Sequence, residues 1–361
     1  MYKLHLILKY LRKRRIAWVS LVAVMLCTAM VLVVISVMGG WLRMFRESFH
    51  GLSGDVLVSG QSLSGFPHYE EMLEEIRKLP EVEAAVPTIQ TFGLINVNNA
   101  IRKGVQVIGF PIADIGKVNK FPRSLHRQHL RYVEKADDPK RDLTDEERID
   151  LRAQAERGAA NPSFALHDEV PYEQILPKAR NVRDWPGMIV GVGVVGIHKD
   201  EKGELYRPSG LYEAWAKLTV LGVSDESSSF DLGDKAERNY WIVDDSRTQV
   251  WQYDSNTVYV PFDALQKDLG MTASKATNRD GKEILIPARA SNLQIKVRPG
   301  VNHVEVRDKV AAIVQGVFAD HDLDAARFVD VETWEQSQYV WLKAIEKEVV
   351  LVTGLFGLIS V

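Results

Sequence analysis

A single cysteine, Cys27, occurs in 361 residues, so no intrachain disulfide and no cysteine-based metal cluster can form. It lies in the N-terminal apolar run, where a small side chain packs easily. A surplus of either charge is also missing: 45 basic against 48 acidic groups leave −3, with nothing to argue for a nucleic-acid partner. No G-x-x-x-x-G-K-[ST] loop is present, so the chain has no P-loop to cradle nucleotide phosphates, and any ATP hydrolysis would belong to another polypeptide. No G-x-S-x-G elbow frames Ser227, Ser228 and Ser229 beside Asp225 and Asp231, which read as a serine-rich loop. No catalytic residue, cofactor or metal ligand is therefore expected, and an anchored hydrolase is the least supported reading.

Apolar sequence is gathered at the two ends, and most of the charge lies between them. Ile16 to Met38 holds no charged residue and, at about 1.5 Å per residue, covers the roughly 30 Å of a bilayer core. Residues 1–15 carry Lys3, Lys9, Arg12, Lys13, Arg14 and Arg15 without an acid, which keeps them cytoplasmic by the positive-inside rule. Interspersed Leu4, Leu6, Ile7, Leu8, Tyr10 and Leu11 would also allow this segment to lie along the bilayer face. A cleaved secretory signal is the rival, disfavoured by the length of the run and by the lack of an A-x-A site after it. At the other end Val349 to Val361 is uncharged but too short to span, and residues 346–361 are expected to begin a second, truncated membrane helix. Residues 39–345 would then lie on the extracytoplasmic side of the membrane.

In that middle part β-like and helical runs alternate, the pattern of an α+β domain. Strands are expected at 55–59, 82–87, 93–97, 102–109, 187–195, 216–223, 241–243, 257–260 and 292–297. Helices are expected at 69–79, closed by Pro80, at 262–269, and at 304–318 with Val306, Val310, Ile313, Val314 and Val317 on one face. Residues 119–185 read as a polar insertion with little to bury, in which Thr144 and Glu147 form a capping box for a helix over 145–157. His126 and His129 have the spacing of a metal pair but no acidic partner nearby in sequence, and are read as surface histidines. Gly191 to Gly196 (GVGVVG) has a dinucleotide-like glycine spacing without a following helix, and is read as close strand packing. Trp185, Trp215, Trp241, Trp251, Trp334 and Trp341 are read mainly as core or interface anchors.

The run ISVMGGWL (35–42) followed by RMFRESFHGLSGDVLVSG resembles the membrane exit of lipoprotein-releasing ABC transporter permeases of the LolC/LolE type. Ser36, Val37, Met38, Gly39 and Gly40 match that family's pattern, Gly39 replacing the commoner asparagine. LKYLRKRR resembles the basic entry, VEAAVPTI with KGVQVIGF the first subdomain, and MIVGVGVV, LTVLGV and the closing WLKAIEKEVVLVTGLFGLISV also fit. Order and spacing are similar to the wider MacB/FtsX-type permease group across most of the chain, the insertion excepted.

The resemblance implies a MacB-like periplasmic core domain of two subdomains between the first and second membrane helices. It also implies a separate ABC ATPase subunit, a second permease copy or paralogue, and mechanotransmission to a lipoprotein or other amphiphilic cargo. Candidate cargo contacts, beside membrane lipid, are Val34, Val37, Met38, Trp41, Met44 and Phe45. A candidate periplasmic-carrier loop is Tyr206, Arg207 and Pro208, in a segment shorter than the family's hook. The alternative from a different class is a membrane-tethered sensor or binding domain of a signalling protein.

Overall fold

The computed structural model of the chain describes residues 15–176, 180–196, 210–221, 235–248, 250–277 and 283–339, with scattered positions beyond. Two units are distinguished: Met1–Glu47 with Glu335–Val361, and Ser48–Trp334. Most of helix α1 (Arg15–His50) lies in the first. Its stretch Trp18–Gly40 is long and apolar enough to cross a membrane, with a mean hydropathy of 2.9. The hydroxyls of Ser20 and Thr28 donate to the carbonyls of Ile16 (3.1 Å) and Val24 (2.5 Å) one turn back, so these polar side chains find acceptors inside the helix. Cys27 is exposed on this helix rather than packed. The helix also runs unbroken past Met38 through Gly39 and Gly40 to His50.

The second unit is α+β, as the alternation of runs predicted. Its main sheet, among the described residues, has nine strands. They are β1 (Val56–Gly60), β2 (Val82–Val97), β3 (Ile101–Phe110), β4 (Gly187–Gly191), β5 (Trp215–Leu221), β6 (Lys235–Ser246), β7 (Thr257–Pro261), β8 (Asn292–Val297) and β9 (Val329–Thr333). Their order is β9-β1-β8-β2-β3-β7-β4-β6-β5, and β5 pairs back onto β2, so six strands close into a ring. β2 makes this possible by its length. Val82 to Thr88 pair with β8, Ile89 to Val97 with β3, and Gly93 to Val97 also with β5. The sequence reading broke this strand in two at residues 88–92; it is continuous because both halves find partners. A Cβ on Gly93 would lie 2.7 Å from the Thr219 carbonyl oxygen, so glycine is what lets β5 approach and the ring close. Asn98 and Asn99, at φ 48° and 59°, turn the chain into β3, with the Ala100 amide donating to the Val97 carbonyl at 2.9 Å, a type I′ hairpin.

Among the further helices are α2 (Tyr69–Arg77), α3 (Asp145–Ala160), α4 (Phe262–Asp268) and α5 (His303–Asp320). α2 and α5 lie against the β9-β1-β8-β2 end of the sheet. Burial follows helical spacing: Met72, Leu73 and Ile76 on α2, and Val306, Val310, Val314 and Val317 on α5, with Ile313 only half-buried. The Asn302 side chain caps α5 by accepting the Val304 amide at 3.0 Å. Together with the interior of the ring these side chains form one continuous apolar core.

The segment read as a polar insertion is corrected here, for it builds a second core. Phe121, Leu125, Phe164, Val170, Tyr172 and Val182 bury against Phe110, Ile189, Trp241, Val243 and Tyr259 from the strands. Trp241 is wholly buried and donates its indole N–H to the Val182 carbonyl at 2.6 Å. The capping box is present, Glu147 N to Thr144 Oγ1 at 3.3 Å and Thr144 N to Glu147 Oε2 at 2.8 Å, and opens α3. His126 and His129 are buried, not on the surface. A π-helical turn over His126–Leu130 turns them inward: His126 Nε2 lies 3.1 Å from Glu134, and His129 Nδ1 meets the Ala155 carbonyl at 2.9 Å. The same turn is pinned to β6 by Asp244, whose carboxylate accepts the amides of Arg127 (2.7 Å) and Gln128 (3.1 Å) and the Gln128 side chain (3.0 Å). Burial, helped by Asp245 alongside, pushes the Asp244 carboxyl up to about 7 against these donors.

Candidate functional site

Where the chain enters and leaves the second unit, the two segments are tied to the sheet and to each other. After α1 ends at His50, a Cβ on Gly54 would sit 2.7 Å from both the backbone N and O of Ile295, so only glycine allows the incoming chain to lie against β8. Asp55 follows, 1 % exposed, its amide donating to the Ile295 carbonyl at 2.8 Å. Its carboxylate meets His50 Nε2 at 2.6 Å, Lys296 Nζ at 3.1 Å and the Val297 amide at 2.8 Å. Burial by itself would raise this carboxyl. The bonds from His50, Val297 and Lys296 and the nearby ammonium outweigh it and bring the group down to about 2. Asp55 is therefore ionised at any physiological pH.

The outgoing chain meets the same residue. The Trp334 amide donates to the Asp55 carbonyl at 3.1 Å, and the indole, itself buried, stacks on the His50 ring with centroids 4.6 Å apart. β1 lies between β8 and β9, antiparallel to both, so entry and exit strands are neighbours in one sheet. The linker between helix and strand is held from a third side: Gly51 O accepts the Lys120 amide at 2.7 Å, and Leu52 O the Asn119 side chain at 3.2 Å. Asn119 also donates to Gln294 Oε1 at 3.0 Å. His50 and the linker after it are thus bonded or stacked to residues of the sheet, of the outgoing segment and of the segment that opens the second core.

Of these junction residues the sequence reading singled out Trp334 alone, as a core or interface anchor. The candidate cargo contacts fall on α1, where Val37 and Met44 are exposed and Val34 and Met38 half-exposed, at spacings that share one side of the helix; the side chains of Trp41 and Phe45 lie outside the described residues. The carrier loop Tyr206, Arg207 and Pro208, the serines at 227–229 and Trp341 also lie outside them. The GVGVVG segment begins at the end of β4. A Cβ on Gly191 would come 2.5 Å from the carbonyl oxygen of Asp254, so the tightest approach there is to the short helix Trp251–Asn256, where strand packing was expected.

Residues 17–138 match the family model of the MacB-like periplasmic core domain. That stretch, about a third of the chain, takes in α1 and the incoming side of the junction, with His50, Asp55, Asn119 and Lys120, but not Lys296 or Trp334. Among solved structures the chain is similar to the periplasmic region of MacB from Actinobacillus actinomycetemcomitans (TM-score 0.36, 9% identity, 80% of this chain and 94% of that one). It is also similar to the extracellular domain of the noncanonic ABC-type transporter YknZ from Gram-positive bacteria (0.35, 10%, 77% and 99%). A domain of a putative permease from Porphyromonas gingivalis is a third (0.31, 11%, 79% and 88%). No curated protein sequence matches the chain.

Proposed function

We propose that the chain is the permease subunit of an ATP-driven exporter, acting as a lever and performing no covalent chemistry of its own. A separate ABC ATPase on the cytoplasmic side, together with a second permease copy or paralogue, would move the membrane helices. The domain, held outside the cell inner membrane with residues 1–15 in the cytoplasm, would convert that movement into extraction of a lipoprotein or other amphiphilic cargo. Val34, Val37, Met38, Trp41, Met44 and Phe45 would meet acyl chains, and Tyr206, Arg207 and Pro208 a periplasmic carrier. The observation that carries this reading is the junction: Asp55 ties the chain arriving from the apolar helix to β8 and to the departing Trp334. The family match over residues 17–138 supports the same assignment.

Topology is the first test. In a Cys27→Ser background, single cysteines at exposed Ser62 and Arg327 should react with a membrane-impermeant maleimide added outside intact spheroplasts. Reaction only after lysis would place the domain in the cytosol and end the exporter reading. Affinity purification of the full-length protein should then bring down a P-loop ATPase, whereas recovery of a kinase or cyclase module on the same polypeptide would favour the tethered sensor.

A further inference from the structure

Three side chains that the lever reading does not use converge where α2 begins and α5 ends. His68 is the residue before α2 and holds a left-handed backbone, φ 61° and ψ 20°, uncommon for a residue with a side chain. A residue in that position normally caps the helix, yet His68 makes no side-chain cap bond. Its ring instead stacks on that of His321, the residue that terminates α5, with centroids 3.6 Å apart and planes 14° from parallel. His321 Nε2 in turn lies 2.8 Å from Glu71 Oε2, one turn into α2. One ligating atom from each of His68, Glu71 and His321 lies within 4.8 Å of the others.

We propose that His68, Glu71 and His321 form a binding site for a zinc-type divalent cation that clamps the start of α2 to the end of α5. Two imidazole nitrogens and one carboxylate oxygen are the donor set that borderline cations take, with a fourth position left for water. Magnesium and calcium, which want oxygen ligands, fit it poorly. Zinc–nitrogen bonds of about 2.0–2.1 Å set tetrahedral ligand atoms roughly 3.3 Å apart, so the three ligand atoms, now within 4.8 Å of one another, would draw together and the two stacked imidazoles would turn out of parallel to point at one ion. His321 would exchange its bond to Glu71 for the metal, and Glu71 would stay beside it as a ligand. Both helices lie on the β9-β1-β8-β2 end of the sheet, so the clamp would stiffen the part of the domain that carries β1. The site stands on its own geometry and does not depend on the exporter reading.

Calorimetric titration of the purified full chain with zinc alone, at neutral pH, tests it. One equivalent should bind with a Kd in the micromolar range or below and raise the thermal midpoint, while magnesium at a hundredfold higher concentration should change neither. His68→Asn keeps a residue that tolerates the left-handed backbone, and His321→Gln keeps a polar C-cap. Each should weaken zinc at least tenfold without altering the circular dichroism or the metal-free midpoint, and the double variant should abolish stoichiometric binding. Equal affinity in the double variant would assign the zinc to other histidines, such as His50 and His303, and overturn the proposal. Failure of the unaltered chain to bind zinc would do the same.

Discussion

Asp55 carries more of the junction than any other single side chain. Its carboxylate is almost wholly buried, and three groups depend on it: a half-buried imidazole, an ammonium and the Val297 amide, while the main-chain carbonyl of the same residue takes the Trp334 amide. Holding its pKa near 2 instead of the ordinary 3.8 corresponds to about 2 kcal/mol of stability, at about 1.4 kcal/mol per unit. The folded value is depressed, so this contribution is present above about pH 4 and disappears as pH falls from there through about 2. Asp55→Asn should therefore lower the unfolding free energy of the full chain in urea by about 2 kcal/mol at pH 7, and the gap to the unaltered protein should close as both are taken toward pH 2. A gap that stayed constant with pH would mean that the loss comes from packing and not from the charge.

Helix α3 poses a conflict between propensity and contact that one substitution resolves. Gly158 lies in its last turn, and on helix propensity alone Gly158→Ala should gain up to about 1 kcal/mol. A Cβ there, however, would stand 1.8 Å from the Gln128 carbonyl oxygen of the π-helical turn, too close for any side chain to relieve. We expect Gly158→Ala to destabilise the protein by about 1–3 kcal/mol, as overpacking does. Heat or urea unfolding followed by tryptophan fluorescence reads the sign, and a gain would show that α3 is not seated on the turn. The same element marks what was legible in the sequence. The capping box at Thr144, the apolar stripe of α5 and the alternation in β5 and β8 are local signals, and each element formed where they pointed. The second core was not readable, because Phe121, Phe164 and Tyr172 follow no helical or strand period and are brought together by the strands they cover. His126 and His129 were misjudged for the same reason: the π-helical turn and Glu134, not their spacing, decide their burial. The ring closure and the junction were equally hidden, since β2 meets β5, and Asp55 meets Lys296 at 241 residues' separation, only in the folded chain.

On the exporter reading proposed above, what matters for the whole molecule is whether the entry and exit strands move together or come apart. β1 and β9 share five paired positions, Val56 with Thr333 through Gly60 with Val329, and the Asp55 carbonyl adds a bond beyond them. Separating them would mean breaking several ladder bonds at about 1 kcal/mol net each, together with the bond from the Trp334 amide to the Asp55 carbonyl. Nothing is gained elsewhere in the sheet to offset that, since β1 is already paired on its other side to β8. A lever that keeps this junction closed transmits force through the sheet, and so a covalent lock between the strands should be harmless. Leu57 and Glu332 are directly opposite, at a spacing that antiparallel pairs share with disulfides. In a Cys27→Ser background, Leu57→Cys with Glu332→Cys should oxidise readily. The oxidised complex should release cargo at within about twofold of the reduced rate when its ATPase turns over in proteoliposomes. Arrest on oxidation, relieved by dithiothreitol and absent from either single-cysteine variant, would mean that β1 and β9 part during the cycle, and the junction would then be a gate instead of a rigid coupling.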